Sequence, residues 1–203
     1  MPRQAGKPET GFPRVILTEL FSILDARSFA SPWFWLVMLT VWTLAGRGVL
    51  GVPNDVLADA GRALRDKDNA ELTGAHSLLD WLSLQLPRWR VDNAAGATMA
   101  ALGAFGLTTL ALLGFRYQLE MAQALTLLAV PQALLLILKL RLARQLDWVM
   151  EAAELGQPVT IAAIEAMRRI NRYRLQHTVI SLLSVTATAF WAARWIAIHP
   201  HGM

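Results

Sequence analysis

His177, Ser181, Ser184 and Thr188 follow one another at intervals of four, three and four residues. On a helix that spacing stacks all four on one face. An imidazole above a column of hydroxyls can carry a proton or offer an axial nitrogen to a haem iron. The same column can be packing chemistry, with each hydroxyl bonding back to a carbonyl of the preceding turn. Haem ligation calls for a second axial group, and no other histidine falls in an apolar stretch: His76 sits in a polar connection, and His199 and His201 in the tail His-Pro-His-Gly-Met. Two tail histidines without a third ligand make a poor metal site. Packing is therefore the preferred reading of the polar face, and neither cofactor nor metal is expected.

Arg116 and Glu120 form a second candidate, spaced to pair on a helix, with Gln123 one turn on. A carboxylate at a membrane boundary can relay protons, but more often it anchors topology. Gly96, Ala100 and Gly103, with Gly106 close by, make a small-residue face where another helix backbone can approach. Pro131 should kink or loosen its helix. The chain has no Cys, which excludes disulfides, thiolate metal sites and cysteine nucleophiles. It has no glycine-rich phosphate loop, no His-Glu-x-x-His pattern and no Gly-x-Ser-x-Gly elbow. No catalytic residue is assigned, and the chain is not expected to be an enzyme.

The elements that must position these residues are four uncharged stretches: Ser28–Gly46, Asn93–Phe115, Met121–Leu138 and Leu175–Ala193. As a helix, even the shortest, Met121–Leu138, approaches the thickness of the hydrocarbon core, at a rise of about 1.5 Å per residue. Hydrophobic residues make up 55% of the 203 and charged ones 17%, against about 25% charged in an average soluble domain. The expected architecture is an all-α membrane protein, a single domain of four transmembrane helices. The segment Met1–Arg27 carries no secretory signal pattern, and the first span can serve as an uncleaved anchor.

Four spans put both termini on one side. Six basic residues fall on that side and 13 on the side of the two long connections, residues 47–92 and 139–174. Orientation follows Lys and Arg near span ends, so the connections are expected to be cytoplasmic and the termini periplasmic; a bacterial inner-membrane location is a separate expectation, in keeping with the family resemblance given below. Pro13–Asp25 places Ile16, Leu20, Ile23 and Leu24 on one face, the pattern of an amphipathic interfacial helix. In the first connection, Pro53-Asn54-Asp55 is a helix start, Asp66–Asn69 a solvated turn, and Leu78–Leu84 apolar enough to lie on the membrane. In the second, Leu142, Leu146, Val149, Met150 and Ala153 continue the helical period past the third span. Gly156-Gln157-Pro158 stops it, and Ile161, Ile164, Met167 and Ile170 restart it. The expected result is a cytoplasmic antiparallel helical hairpin extending spans three and four.

That hairpin is rich in arginine: Arg141, Arg144, Arg168, Arg169, Arg172 and Arg174. Beside a membrane such a cluster is expected to meet anionic lipid headgroups or an acidic partner, and no nucleic acid is expected.

Several runs resemble a small alphaproteobacterial membrane-protein family. They are Arg27-Ser28-Phe29, Ser31 and Trp33–Leu36 entering the first span, then Val49–Pro53 with Asp55 after it. Leu112–Phe115, Tyr117, Glu120 and Ala122–Ala124 follow around the turn between spans two and three, and Arg141, Ala143 and Arg144 after span three. The family carries the label "component of SufBCD complex". The resemblance implies a role beside the SUF iron–sulfur cluster assembly machinery. Without cysteine, that role would be docking or scaffolding, with the hairpin and residues 48–92 as surfaces. The longer amino-terminal tail, Met1–Phe12, departs from the pattern. The residues themselves leave three readings open: an accessory or scaffold protein on a larger assembly, an accessory subunit of a respiratory or photosynthetic complex, and a small oligomeric transporter or channel.

Overall fold

The computed structural model describes residues 29–64 and 72–199. The expected amphipathic helix at Pro13–Asp25, the turn at Asp66–Asn69 and His201 lie outside the described residues. Within them run α1 (Pro32–Gly46), β1 (Gly48–Val49), β2 (Val52–Pro53), α2 (Asn54–Ala63) and α3 (Leu72–Gln85). Then come α4 (Asn93–Ala111), α5 (Glu120–Glu154) and α6 (Val159–Ile198). A 3-10 turn, Leu86–Trp89, precedes α4, and a π-helical turn, Leu112–Arg116, extends it.

Three of these helical segments, Asn93–Arg116, Glu120–Glu154 and Val159–Ile198, are long and apolar enough to cross a membrane, and they mark the chain as a membrane protein. α1 is apolar as well, but its helix has 15 residues, about 22 Å of rise. Proline at its first position starts it, and the backbone turns away at Arg47.

β1 and β2 pair antiparallel, Gly48 with Pro53 and Val49 with Val52, leaving Leu50-Gly51 as a two-residue turn. Both turn residues have positive φ, 55° and 86°, the signature of the turn whose twist matches a tight hairpin. Leucine rarely adopts that conformation. Here its side chain is buried in the main apolar core, which holds the turn in place.

That core draws on neither α1 nor α4. It joins Val49, Leu50 and Val52 of the hairpin, Leu57 and Ala60 of α2, and Leu78, Leu79 and Leu82 of α3. Against these pack Leu142, Leu146 and Val149 of α5 and Ala162, Ala166, Ile170 and Tyr173 of α6. The apolar run Leu78–Leu84, expected on the membrane surface, instead turns Leu78, Leu79 and Leu82 into this core. The spacing is what an amphipathic helix on lipid would show; here the lengthened parts of α5 and α6 present a protein partner for the same face. Gly74 permits the close approach of α3 to α2, since a Cβ there would sit 3.1 Å from the Asp59 carbonyl oxygen.

α5 and α6 run antiparallel. Trp195 bonds Glu120, Trp191 bonds Gln123, and Arg169 bonds the carbonyl of Gln145, so positions rise along one helix as they fall along the other. Leu155–Pro158 join them. Gly156, at φ 100°, lies just past the end of α5. Gly156 N–H donates to Ala153 O and Gln157 N–H to Ala152 O, the double bond of a Schellman stop. α5 runs unbroken through Pro131.

Smaller clusters hold the other half of the molecule. Met38 and Trp42 of α1 pack with Leu135 of α5, and Phe29 packs with Ala124 and Ala192. α4 stands apart, with none of its residues buried, and meets the rest chiefly through its carboxyl end. There a Cβ on Gly114 would lie 2.7 Å from the Gln123 backbone nitrogen.

Two alanine substitutions should therefore part in sign. Gly114→Ala should lower stability in mild detergent by about 1–3 kcal/mol, because backbone stands in the way. Gly103→Ala, whose new Cβ meets nothing within 4 Å among the described residues, should be neutral or raise stability by about 0.5–1 kcal/mol. Thermal unfolding of the two purified variants reads both effects.

Candidate functional site

Two polar sites stand at opposite ends of the apolar half. The first is built on the opening turns of α5. Glu120 is buried, and its Oε1 accepts the backbone N–H of Phe29 at 2.6 Å while Oε2 accepts Trp195 Nε1–H at 3.1 Å. One turn on, Gln123 is fully buried. Its Oε1 accepts Trp191 Nε1–H at 2.9 Å and its Nε2 donates to Gly114 O at 2.9 Å. Trp35 Nε1 donates to Phe29 O at 3.0 Å, closing the approach to α1. Four chain segments thus meet at two side chains: the lead into α1, the end of the α4 extension, α5 and α6.

This arrangement changes the meaning of the Arg116–Glu120 pair. No ion pair joins the two, and Arg116 is exposed. Both carboxylate oxygens of Glu120 serve as acceptors that fasten helices, which is an anchoring rather than a relaying geometry. Trp191 and Trp195 are the partners that sequence reading missed. Their spacing of four residues, matched to Glu120 and Gln123 three apart on the neighbouring helix, was the signal that could have found them.

The second site is a cavity of about 320 Å³ between the carboxyl end of α1, β1 and α6. Its walls include Gly46, Gly48, Tyr173, Arg174, His177 and Ser181. The His177 ring lies 6.0 Å from Trp42 and 6.2 Å from Tyr173, centroid to centroid. Tyr173 Oη and His177 Nε2 are buried with no hydrogen-bond partner among the described residues, as are Trp42 Nε1 and Gln132 Nε2.

The polar face predicted on α6 is therefore divided. His177 and Ser181 line the cavity, Ser184 is half-buried, and Thr188 is buried farther along the helix. Ser181 Oγ donates to Thr178 O at 2.9 Å, the back-bonding that packing chemistry calls for.

The basic residues are also divided. Arg169 bonds Glu165 within α6 at 2.8 Å, and its bond to Gln145 O at 3.3 Å fastens α6 to α5. Arg168 lies 3.7 Å from Glu165. Arg141, Arg144, Arg172 and Arg174 are exposed and in no ion pair among the described residues. The small-residue face has no occupant within the described residues: Gly103 and Gly106 meet nothing within 4 Å, and Ala100 is exposed. Gly96 touches only Val91 within that range. Among the described residues no three His, Cys, Asp or Glu side chains gather where they could hold one metal ion. No family model, no curated protein and no solved structure matches the chain.

Gln123→Leu should strand Trp191 Nε1 and the Gly114 carbonyl together. Each buried group left unpaired costs about 1–3 kcal/mol, so this variant should lose more stability than Trp191→Phe. A double-mutant cycle on thermal unfolding should return a coupling of about 0.5–3 kcal/mol between the two positions. Independent, additive losses would show that the bond carries no weight.

Proposed function

We propose that this chain is a non-enzymatic accessory or scaffold protein of the bacterial inner membrane, which anchors a packed lobe at the cytoplasmic face for docking a larger assembly. The observation that carries the reading is the position of the main core. Seventeen buried residues, drawn from the hairpin, α2, α3 with the turn after it, and the inter-helix ends of α5 and α6, form a soluble-type core. α4 buries no residue at all, as a helix solvated by lipid would. A chain that invests its packing in a lobe beside the membrane, with no catalytic constellation among the described residues, is built to hold something.

The lobe has the surface for it. Trp148 is 72% exposed and Leu155 85%; Arg141 and Arg144 are exposed on the same helix and Arg172 on the neighbouring one. Tryptophan and arginine are the residues that most often dominate binding energy at interfaces. The family resemblance makes the SUF machinery the first client to test, and a respiratory or photosynthetic complex the second.

The proposed topology has four spans, with α1 as the first. Its support is the outward display of Trp33, Leu36, Val37, Leu39 and Leu44, while Met38 and Trp42 face α5. Arg47 then marks the cytoplasmic end of α1, and the Glu120 cluster lies toward the periplasm. A transporter reading is less favoured, because the oxygens of Glu120 are engaged in fastening helices.

The absence of cysteine gives a clean background for labelling. Leu155→Cys should be protected from a membrane-impermeant maleimide in intact spheroplasts and react on lysis; Arg116→Cys should react in both. The reverse pattern would invert the topology. Brief crosslinking of tagged protein in native membranes, followed by purification and mass spectrometry, should recover one partner complex. Trp148→Ala should lower that recovery about tenfold or more, the effect of a hot-spot truncation. Recovery of this chain alone would contradict the docking reading.

A further inference from the structure

α5 and α6 each turn one side to the main core and leave the opposite side bare. On α5, Leu142, Leu146 and Val149 go into the core, while Arg144, Trp148, Glu151 and Leu155 are exposed. The exposed set recurs at intervals of four, three and four residues, so it forms one stripe along the helix. On α6, Ala162, Ala166 and Ile170 go into the core, while Ile161, Ile164 and Arg168 are exposed at intervals of three and four. The two helices lie side by side over the same core, so their stripes share one outer face with a groove between them. Three bonds fix the register: Trp195 to Glu120, Trp191 to Gln123 and Arg169 to Gln145. At that register Ile164 stands within a turn of the level of Trp148, and Ile161 within a turn of the level of Leu155.

Large apolar side chains scattered singly on a surface need no explanation, but four gathered on one face do. Lipid does not cover these. Under the proposed topology, Trp148 stands ten residues past the end of span three at Leu138, and Ile164 eleven before the start of span four at Leu175. That is about 15–17 Å of helix rise, against a headgroup layer about 5–8 Å deep on one side of a bilayer. A tilt of about 40°, the upper end of the usual range, still leaves both residues beyond it. Leu155 and Ile161 stand farther out. A second copy of the chain fits badly as well. Copies inserted the same way are related by an axis along the membrane normal, which keeps every residue at its own height. Arg141, Arg144, Arg168 and Arg172 would then meet the same four arginines, and like charges set against each other across an interface are costly. Arg141, Arg144 and Arg172 are in no ion pair among the described residues, and Glu151 is the one acid on either stripe. The face is apolar and basic, and its complement is apolar and acidic.

We propose that this face takes one amphipathic helix of another protein, with acidic side chains opposite Arg144 and Arg168 and apolar ones opposite Trp148, Leu155, Ile161 and Ile164. The partner helix lies in the groove between α5 and α6, the mode in which apolar anchors at i, i+3 or i+4 and i+7 give the affinity. From Arg144 to Leu155 the stripe covers eleven steps of helix, about 16 Å, which three turns of a partner helix fill. The partner's chemistry named here rests on the docking role proposed above.

Binding of labelled synthetic helices to the full chain in zwitterionic nanodiscs tests it, read by fluorescence anisotropy with empty nanodiscs as reference. A helix with leucines on one face and glutamates on the other should bind. The same helix with lysine in place of glutamate should not, nor should a leucine–glutamate peptide scrambled to abolish its apolar face. Ile164→Ser should weaken the acidic helix about tenfold. Arg144→Glu combined with Arg168→Glu should abolish its binding and let the lysine helix bind instead, a reversal that misfolding cannot produce. Equal binding of the acidic and basic helices, binding of the scrambled peptide, or an unchanged preference in the charge-reversed variant would overturn the proposal. A dimer of the full chain in native mass spectrometry that Ile164→Ser dissociates would overturn it too, and give the face to a second copy. If no peptide binds while crosslinking in native membranes still recovers a partner complex, the acidic-helix partner is overturned and the docking role stands.

Discussion

Helix length is the constraint on which the rest of this molecule depends. α5 has 35 residues and α6 has 40, about 52 and 60 Å of rise. A bilayer hydrocarbon core is about 30 Å thick. Neither helix fits inside it without a tilt far beyond the usual range. Under the proposed topology the two leave the membrane together, and the residues that leave must find protein or water. Leu142, Leu146, Ala166 and Ile170 find protein, because α2, α3 and the small hairpin fold against them. Arg141, Arg144 and Arg172 face outward.

A long helix pair also needs its register fixed at both ends. At the end away from the lobe, Glu120 and Gln123 take indole N–H bonds from Trp195 and Trp191. Near the lobe, Arg169 of α6 reaches the Gln145 carbonyl of α5. Between these points the contact is made by apolar packing, which is tolerant of sliding. The polar bonds set which residue meets which, and in lipid an indole or amide without a partner is strongly unfavourable. The same carboxylate draws in the backbone of Phe29, so the approach to α1 depends on the register of the other two helices.

The helical class and the three long apolar segments were legible in the sequence, because charge-free runs of that length have few other uses. So was the stop at Gly156-Gln157-Pro158, where glycine supplies the positive φ that the chain reversal requires. The site was less legible. The spacing of His177, Ser181, Ser184 and Thr188 correctly put them on one helix, but it could not say that neighbours would divide that face between a cavity and a buried contact. Glu120 and Arg116 look like a pair from their spacing alone; Trp195, which takes up the carboxylate, lies near the far end of α6, and only matching its spacing from Trp191 to that of Glu120 and Gln123 across an antiparallel helix pair would point to it. Leu78–Leu84 has the pattern of a membrane-surface helix, since water–lipid and water–protein boundaries select the same amphipathic face.

If the two long helices cross from lipid into water part-way along, the change of solvent must be visible residue by residue on their exposed faces. Site-directed spin labelling reads it most directly, with labels placed one at a time at exposed positions of α6 in liposomes. Labels at Arg168 and Arg172 should collide readily with a water-soluble nickel chelate, whereas labels at Val179, Leu182 and Phe190 should collide with oxygen and be shielded from nickel. The exchange should fall near Arg174. Oxygen-dominated collisions along the whole helix, or nickel-dominated collisions along all of it, would contradict the crossing.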